Sequence, residues 1–298
     1  MTFVTIATRR YLPMALQLAA TIRAADRSAE IWLWLAEPPQ ACCVVPEGLF
    51  DRVLVAEEWI GTAMREFVRS HDELEACCGL KPTVLLTTMD LKREERQFVL
   101  IDGDAWVFGP FDEVARALQT SDVVLTPHLL EAEATRAASD DLRKSLRWGV
   151  CNLGFIAVRQ GARGREVLEW WRERCLDACT VDPASGLFLD QKWMDLALAF
   201  DGVAALRHPG YNVNPTNAAA RGVSSAGGRL VAGADRLPVR FVHFCGFGRS
   251  VRPTTIFDAC NEGSPLRRLV EEYDAVLQKM DFAVTRTRPW GYASALNG

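Results

Sequence analysis

Two aspartates two positions apart are the residues of this sequence with the clearest chemical potential. Asp102 and Asp104 follow the apolar run 98–101 and flank Gly103. In an extended chain, residues i and i+2 point to the same side, so both carboxylates can bind one cation, and Gly103 lets a ligand approach the backbone. Oxygen ligands of this kind suit Mg²⁺ or Mn²⁺ bound together with the phosphates of a substrate.

This Asp-Gly-Asp run has two alternative interpretations. Asp-Gly is a common hairpin-turn dipeptide, so a plain surface turn is one alternative, but the end of a central strand in an open α/β sheet is where ligands bind. The second alternative is a haloacid-dehalogenase-like phosphatase, whose nucleophilic aspartate also ends a hydrophobic strand. In that class the motif ends the first strand of the core and continues with Thr or Val where Trp106 stands here.

Polar residues in three later stretches are further candidates. Asn152 lies in an apolar strand, and a buried amide must find hydrogen-bond partners. Asp190 and Gln191 begin a helix, where a carboxylate serves equally well as a helix cap or as a functional group. His243 follows an apolar strand pattern beside a Gly-rich turn, and it is either a satisfied core residue or a nitrogen ligand that favours Mn²⁺ over Mg²⁺.

The elements that must position these residues alternate between strands and helices, which predicts an α/β sheet with crossover helices. Strands are predicted at 3–8, 31–36, 52–56, 97–101, 122–126, 150–159 and 239–244. Apolar residues at three- and four-residue steps predict helices over 12–22, 167–179 and 265–280. The polar stretch 177–186 and the Gly-rich stretch 218–233 are predicted loops, the second being a candidate mobile flap.

Composition limits the classes of function. The 298 residues carry 34 Lys and Arg against 38 Asp and Glu, and a net charge of -4 offers no positive field for nucleic acid. No apolar run reaches the roughly 20 residues that span a bilayer, and the N-terminus lacks a signal-peptide layout. The nine cysteines show no CxxC zinc or redox spacing. We therefore expect a cytoplasmic protein without a transmembrane segment.

As a set, these residues resemble the GT-A fold glycosyltransferases, especially the retaining, family 8-like glycogenin and galactosyltransferase kind, which includes bacterial sugar transferases. The motifs that carry the resemblance are Ala7-Thr8-x-x-Tyr11, Lys81-Pro82 ahead of a helix, Asp102-x-Asp104, Asn152-x-Gly154, Asp190-Gln191 and His243-Phe244-x-Gly246. The resemblance extends to Arg249. It implies one Rossmann-like domain over 1–298, a mixed α/β sheet flanked by helices. The nucleotide-binding half would cover about 1–130, and the donor-sugar and acceptor half, with a C-terminal helix, about 131–298.

The resemblance also implies roles for the individual residues. Asp102, Asp104 and His243 would hold Mn²⁺, or Mg²⁺, against the diphosphate of a nucleotide sugar. Tyr11 would stack on the base, while Ala7 and Thr8 would meet the base and ribose. Asn152, Asp190 and Gln191 would border the donor sugar at the reacting centre. The remaining donor-binding positions are Lys81, Gly103, Gly246 and Arg249, the last of which replaces the family's lysine as a phosphate clamp.

The implied activity is metal-dependent transfer of a sugar, with retention, to a hydroxyl of a carbohydrate, glycolipid or small-molecule acceptor. Retention could come from a covalent intermediate on Asp190 or from same-face attack stabilised by Gln191 or Asn152. Thr8 is followed by arginines where the family often has acidic residues that read uracil, so the base stays open, with a UDP-sugar as the first donor to consider. A non-catalytic nucleotide-sugar-binding protein is the alternative from another class.

Overall fold

A computed structural model describes residues 1–131, 136–214, 217–248 and 265–293, with the backbone alone for 136–141. In chain order the strands are β1 (Thr2–Ala7), β2 (Glu30–Leu35), β3 (Arg52–Val55), β4 (Gln97–Ile101), β5 (Ala105–Val107), β6 (Val123–Pro127), β7 (Cys151–Arg159), β8 (Val181–Asp182), β9 (Leu187–Phe188), β10 (Val203–Ala205), β11 (Ser224–Ala226), β12 (Arg229–Ala232), β13 (Leu237–Pro238) and β14 (Phe241–His243). The helices are α1 (Leu12–Ala25), α2 (Ala56–Trp59), α3 (Thr62–Ser70), α4 (Glu73–Leu91), α5 (Asp112–Ala117), α6 (Arg136–Trp148), α7 (Ala162–Asp177), α8 (Gln191–Ala197), α9 (Pro265–Gln278) and α10 (Phe282–Thr285).

The main sheet has seven strands in the order β10, β6, β7, β4, β1, β2, β3. All of them run in one direction except β7, which is antiparallel to both of its neighbours, β4 and β6. This confirms the predicted mixed α/β sheet. The predicted strand at 239–244 forms β14 in a separate ladder with β5. Strand β5 follows β4 closely in the chain, so its ladder with β14 brings residues 241–243 to the centre of the sheet edge.

Strand β4 is buried on both faces, which explains why its sequence is a continuous apolar run instead of an alternating one. Phe98 and Leu100 pack in the cluster that contains α4 and α7, whereas Val99 and Ile101 pack in the cluster that contains α1 and α5. Each of these side chains stabilises the fold by about 1.5–3 kcal/mol through burial. The polar residues that follow β4 are therefore held at a fixed place, the middle of the carboxyl edge of the sheet.

Three local predictions are wrong, and strand β10 of the main sheet was not predicted. Lys81 and Pro82 do not precede a helix but lie inside α4, which begins eight residues before Lys81, at Glu73, after a capping box between Asp72 and Glu75. The stretch 218–233, predicted as a loop, contains the β11–β12 hairpin, which turns through Gly227 and Gly228 with φ angles of 55° and 78°. Two consecutive left-handed residues are what a tight hairpin turn requires. The predicted loop 177–186 contains the short strand β8, which pairs with β9.

The predicted helices are confirmed at α1, α7 and α9. Helix α9 begins at Pro265, as expected for proline in a first turn, while its predicted cap, Ser264, lies outside the described residues. Among the helices of the described ranges, none combines the length and the apolar character needed to cross a membrane.

A half-buried ion pair anchors the segment that leads into β14. Glu113 of α5 accepts hydrogen bonds from Arg240 at 2.7 and 3.0 Å and from the Tyr211 hydroxyl at 2.8 Å. Burial disfavours its charged form, but the bonds from Arg240 and Tyr211 lower the pKa of Glu113 to about 2. An acid with a depressed pKa stabilises the folded state above its unfolded pKa and loses that contribution as the pH falls towards its folded pKa.

We therefore expect Glu113→Gln to lower the free energy of unfolding at pH 7 by about 2 kcal/mol, because solvent screens part of the pairing. The deficit should shrink as the pH falls from the unfolded value of 4.5 towards about 2. Urea unfolding at pH 7 and pH 3 measures this. The control is Glu166→Gln, which breaks an exposed pair with Arg163. An equal deficit at both pH values would show that the charge of Glu113 is not the cause.

Candidate active site

The two aspartates lie at the carboxyl end of β4. Asp102 follows the strand directly, and its N–H donates to the carbonyl of Gly154 at 2.9 Å, which extends the ladder between β4 and β7. Asp104 comes just before β5, and its carbonyl accepts from the N–H of Phe244 at 2.8 Å. Both side chains stay partly exposed, with 30% and 20% of their surface accessible. The backbone is thus fixed on both sides while the carboxylates face an open space.

His243 completes the predicted set of cation ligands. It ends β14, and the β5–β14 register aligns it with Ala105. Its Nε2 atom lies 3.1 Å from Asp104 Oδ1 and 3.9 Å from Asp102 Oδ2. One ligand atom from each of the three residues falls within 4.8 Å of the others. Folding therefore brings His243, which is distant in sequence, to the two aspartates that their spacing had already paired.

The chemistry of this group suits a divalent cation. Although burial disfavours a charged ring, the carboxylates of Asp104 and Asp102 raise the pKa of His243 above its usual value. The two carboxylates therefore favour a positive charge next to them. A proton on the ring of His243 provides that charge, and a bound metal ion would provide it as well. Carboxylate oxygens with one imidazole nitrogen fit Mn²⁺, and also Mg²⁺, which prefers oxygen ligands.

Lys81 places a fixed positive charge behind the aspartates. Its side chain leaves α4 and is almost fully buried, with Nζ 3.0 Å from Asp102 Oδ1 and 2.9 Å from the carbonyl of Leu153. Asp190 Oδ2 lies 3.6 Å away on the other side. Burial disfavours the ammonium, yet Asp102 and Asp190 raise the pKa of Lys81 well above its usual value. Lys81 therefore forms ion pairs with both Asp102, a candidate cation ligand, and Asp190.

Asp190 immediately precedes α8, but its side chain makes no capping hydrogen bond to any residue in the described ranges. The interpretation as a helix cap is therefore wrong for the side chain. The carboxylate is 2% exposed, and its Oδ2 has no hydrogen-bond partner in the part of the chain that the structure describes. Burial raises the pKa of Asp190 to about 6, against the opposing effect of Lys81. A carboxylate beside a cavity whose pKa is shifted by burial and by a specific charged partner is typical of a functional group.

The amides of Gln191 and Asn152 are both engaged with the protein. Gln191 Oε1 accepts from the N–H of Leu153 at 3.0 Å, and its Nε2 donates to the carbonyl of Trp148 at 2.8 Å. Asn152 Oδ1 accepts from the N–H of Gly154 at 2.9 Å. Both residues line the same cavity as Asp190. Their predicted place beside a donor sugar remains a prediction.

Two cavities meet at the aspartates. The larger has a volume of about 360 Å³ and extends from Asp102 and Asp104 past Asp190 to Trp148 and Phe188. The smaller, about 140 Å³, extends from the same two aspartates to the end of β1. Lys81 also borders both. The candidate cation site thus lies at the junction of two spaces, which suits a ligand with two parts.

The smaller cavity contains the residues predicted to bind a nucleoside. It is lined by Ala7, Thr8, Tyr11 and Gly103, together with Glu73 of α4. A Cβ at Gly103 would make only an ordinary contact of 3.6 Å with the backbone of Ala15, so packing does not demand glycine there. The close approach of a ligand to the backbone of Gly103 remains a prediction.

The arginines that follow Thr8 contact neighbouring protein groups and are not among the lining residues of this cavity. Arg9 donates to the carbonyl of Pro289, and Arg10 donates to the carbonyl of Arg286 at 3.0 Å. Arg10 also pairs with Glu73 at 2.5 Å, and the same carboxylate accepts from the Thr8 hydroxyl at 2.6 Å. Glu73 thus supplies an acidic group beside Thr8 that the sequence after β1 lacks.

The Gly-rich turn after His243 is described only in part. Gly246 lines the larger cavity, and its φ of 83° is one that glycine adopts without strain. Arg249, the predicted phosphate clamp, lies outside the described residues.

Sequence reasoning missed three groups at the site. Glu73 is 65 residues from Thr8, so only the fold shows that they meet. Asn212 received no predicted role, and it contacts His243. Trp148 and Phe188 meet edge to face at 4.8 Å in the larger cavity. A signal existed for α4, since Asp72 and Glu75 have the spacing of a capping box, but none existed for these contacts.

Comparison with known proteins gives limited sequence similarity. No protein-family model matches the chain. It is similar to two uncharacterized proteins of Bacillus subtilis (strain 168), YfnF with 29% identity over 179 residues and YfnD with 27% over 176. These matches cover 60% and 58% of this chain and 58% and 54% of the relatives. The chain therefore spans little more than half the length of the curated relatives it matches.

Comparison with solved structures concerns the fold. The chain is similar to the galactosyltransferase LgtC in complex with donor and acceptor sugar analogs, with a TM-score of 0.50 and 15% identity. The match covers 99% of this chain and all of LgtC. The seven-stranded mixed sheet flanked by helices is the GT-A glycosyltransferase fold, as the resemblance of the sequence implied.

Proposed function

We propose that this protein is a glycosyltransferase that moves a sugar from a nucleoside-diphosphate sugar to an acceptor hydroxyl. The observation that carries the proposal is the group formed by Asp102, Asp104 and His243 at the meeting point of two cavities. A nucleotide sugar has a diphosphate between two organic parts, and this arrangement matches it. The GT-A fold supports the transferase over the phosphatase alternative, which belongs to another fold.

The donor would lie across the junction of the cavities. Its nucleoside would enter the smaller cavity beside Tyr11, Thr8 and Ala7, and its sugar would enter the larger one beside Asp190. Tyr11 offers a ring for stacking on the base, and Glu73 offers an acceptor for the N–H groups of a base. This makes a UDP-sugar a reasonable first donor, although the acid comes from α4 instead of the turn after β1.

The chain's own residues would prepare the leaving group. Asp102, Asp104 and His243 would hold Mn²⁺ or Mg²⁺, which as a Lewis acid stabilises charge on a departing diphosphate. Lys81 restrains Asp102 at 3.0 Å and keeps positive charge behind the site. Because these groups are already in place, little reorganisation is needed when the donor binds.

Asp190 is our candidate for the group that meets the reacting sugar carbon, with retention of configuration. Gln191 and the oxygen of Asn152 are committed to backbone partners, whereas Asp190 lines the cavity and its buried Oδ2 has no hydrogen-bond partner among the described residues. The carboxylate would either form a covalent intermediate or stabilise a cationic sugar during same-face attack. Gln191 and Asn152 would border the sugar in both cases.

The acceptor would approach through the larger cavity. Trp148 and Phe188 lie on its wall, and aromatic rings of this kind suit the apolar faces of a sugar. We propose a carbohydrate, glycolipid or small-molecule acceptor on this ground. A cytoplasmic location and a single domain over 1–298, with nucleotide-binding and sugar-binding halves, remain predictions from the sequence.

Thermal stabilisation by nucleotides tests the proposal. We expect one of UDP, GDP, dTDP, CDP and ADP, at about 100 times its Kd, to raise Tm by about 5 °C when Mn²⁺ is present. The shift should need both components, because the diphosphate and the aspartates bind the same cation. Asp104→Ala should abolish it, while the exposed Asp201→Ala should retain it.

The result would also separate the alternatives. A shift without transfer or hydrolysis of the matching nucleotide sugar would indicate a non-catalytic nucleotide-sugar-binding protein. No shift with any nucleotide, in the presence of Mn²⁺, would contradict the proposed donor class.

A further inference from the structure

The ring nitrogen of His243 that faces away from the aspartates contacts two side-chain amides. Its Nδ1 lies 3.1 Å from Asn152 Oδ1 and 3.2 Å from Asn212 Oδ1. The three residues come from different parts of the chain, β7, the segment before β14 and β14 itself. Asn152 and Asn212 are both buried, so these contacts are shielded from competing water.

Partners with a single hydrogen-bonding role determine which amide atom faces the ring. Asn152 Oδ1 also accepts from the N–H of Gly154 at 2.9 Å, and a backbone N–H can only donate. Asn212 Nδ2 donates to the backbone carbonyl of Asn152 at 3.0 Å, and a carbonyl can only accept. Both amides therefore turn an oxygen towards His243. Two acceptors at Nδ1 require that this nitrogen carries a hydrogen.

We propose that Asn152 and Asn212 are positioning residues that hold His243 in the tautomer protonated at Nδ1, so that Nε2 presents its lone pair to the cation. The inference rests on the metal-dependent function proposed above and deepens it. The partner of a ligand histidine's second nitrogen sets the tautomer and orientation of the ring, and losing it weakens metal binding. Here a pair of amides performs that task.

Two backbone features support a purpose beyond packing. A Cβ at Gly154 would lie 2.1 Å from His243 Cε1 and 2.4 Å from Nδ1, so the glycine makes the space for the ring. Asn212 has a φ of 51° and is 1% exposed. Asparagine is one of the few residues other than glycine that adopt a left-handed conformation readily, so this backbone position admits the amide that contacts His243. The Asn-x-Gly motif thus places and orients the histidine.

Mn²⁺ affinity, measured by electron paramagnetic resonance of free Mn²⁺ without any nucleotide, tests this role. We expect Asn152→Leu and Asn212→Leu each to raise the Kd for Mn²⁺ by about 10- to 100-fold. Asn152→Asp keeps an acceptor oxygen at Nδ1, so its Kd should stay within about threefold of the unmodified protein. Circular dichroism and Tm identify the variants that fold.

The tautomer is measured directly by long-range ¹H–¹⁵N correlation of the ring nitrogens, with diamagnetic Cd²⁺ in place of Mn²⁺. The chain has four histidines, so assignment by His243→Gln is practicable. A hydrogen on Nδ1 is expected, and a hydrogen on Nε2 would overturn the proposal even if no leucine variant folds. Equal Mn²⁺ affinity in the unmodified protein and a folded Asn152→Leu would overturn the positioning role alone. No Mn²⁺ binding by the unmodified protein without nucleotide would overturn this role, whereas the metal dependence itself is tested by the shift in Tm with nucleotide and Mn²⁺ together.

Discussion

Replacing Asp190 with asparagine is expected to lower kcat for sugar transfer by about 10³-fold. The Kd for the donor should change by no more than about threefold, because the nucleoside and diphosphate supply most of the affinity elsewhere. The reason is local: Asp190 lines the larger cavity, and its buried carboxylate lies with Oδ2 3.6 Å from Lys81 Nζ. Initial rates and equilibrium donor binding, measured on the same preparations, separate the two effects.

The pH profile gives this prediction a second readout. The pKa of Asp190 is raised to about 6, so the reactive carboxylate forms as the pH rises through that value. We therefore expect kcat to increase between pH 5 and pH 7 in the unmodified protein and to lose that dependence in the variant.

The matched control is Asp195→Asn, in helix α8, which Asp190 immediately precedes. Asp195 is bound to the N–H of Val150 and to Lys192, and kcat should stay within about threefold of the unmodified protein. An unchanged kcat in Asp190→Asn would remove Asp190 from the reacting centre. A loss of donor affinity as large as the loss of kcat would make it a binding residue.

Replacing Lys81 with methionine should strongly destabilise the metal-free protein. The variant keeps the length of the side chain but leaves Asp190, which is 2% exposed, without its positive partner at 3.6 Å. Breaking a buried pair by removing one charge costs about 3–5 kcal/mol, so we expect a loss near 3 kcal/mol at pH 8. Urea unfolding in the presence of a chelator measures it.

The sign of the pH dependence distinguishes charge from packing. Asp190 is an acid whose folded pKa is raised, so the folded state is favoured at low pH and loses stability as the pH rises through that pKa. Without Lys81 this pKa should rise further, and the deficit of the variant should be smaller at pH 5 than at pH 8. A deficit equal at both values would assign the effect to lost packing alone.

Lys92→Met is the control for this prediction. Lys92 follows the last residue of the same helix, α4, and pairs with Glu30 near the surface. Exposed pairs contribute about 0–1 kcal/mol, so the control should lose no more than that. A loss as large as that of the Lys81 variant would contradict the special role of the buried lysine.

Local sequence was sufficient for six of the seven strands of the main sheet, all except the edge strand β10, and for the aspartates at the end of β4. The run 98–101 is apolar at every position and buried. Asp102 follows directly, so the buried strand ends at the first charged residue. The relative positions of residues this close in sequence are set by the backbone geometry of the strand, and the sequence pattern is enough to predict them. The wrong predictions were also local: the start of α4 at Asp72 and the hairpin at Gly227 each had a recognisable signal.

The sequence by itself determined the fold class and the identity of the chemical groups. Only the tertiary structure decided which groups meet: Lys81 lies between Asp102 and Asp190, and Asn152 and Asn212 converge on His243 across 91 and 31 residues of chain. Contacts of this kind depend on how helices pack on the sheet and on which strand β14 joins. The physical reason is that hydrophobic burial fixes the position of whole elements, and the polar contacts between residues distant in sequence follow from those positions.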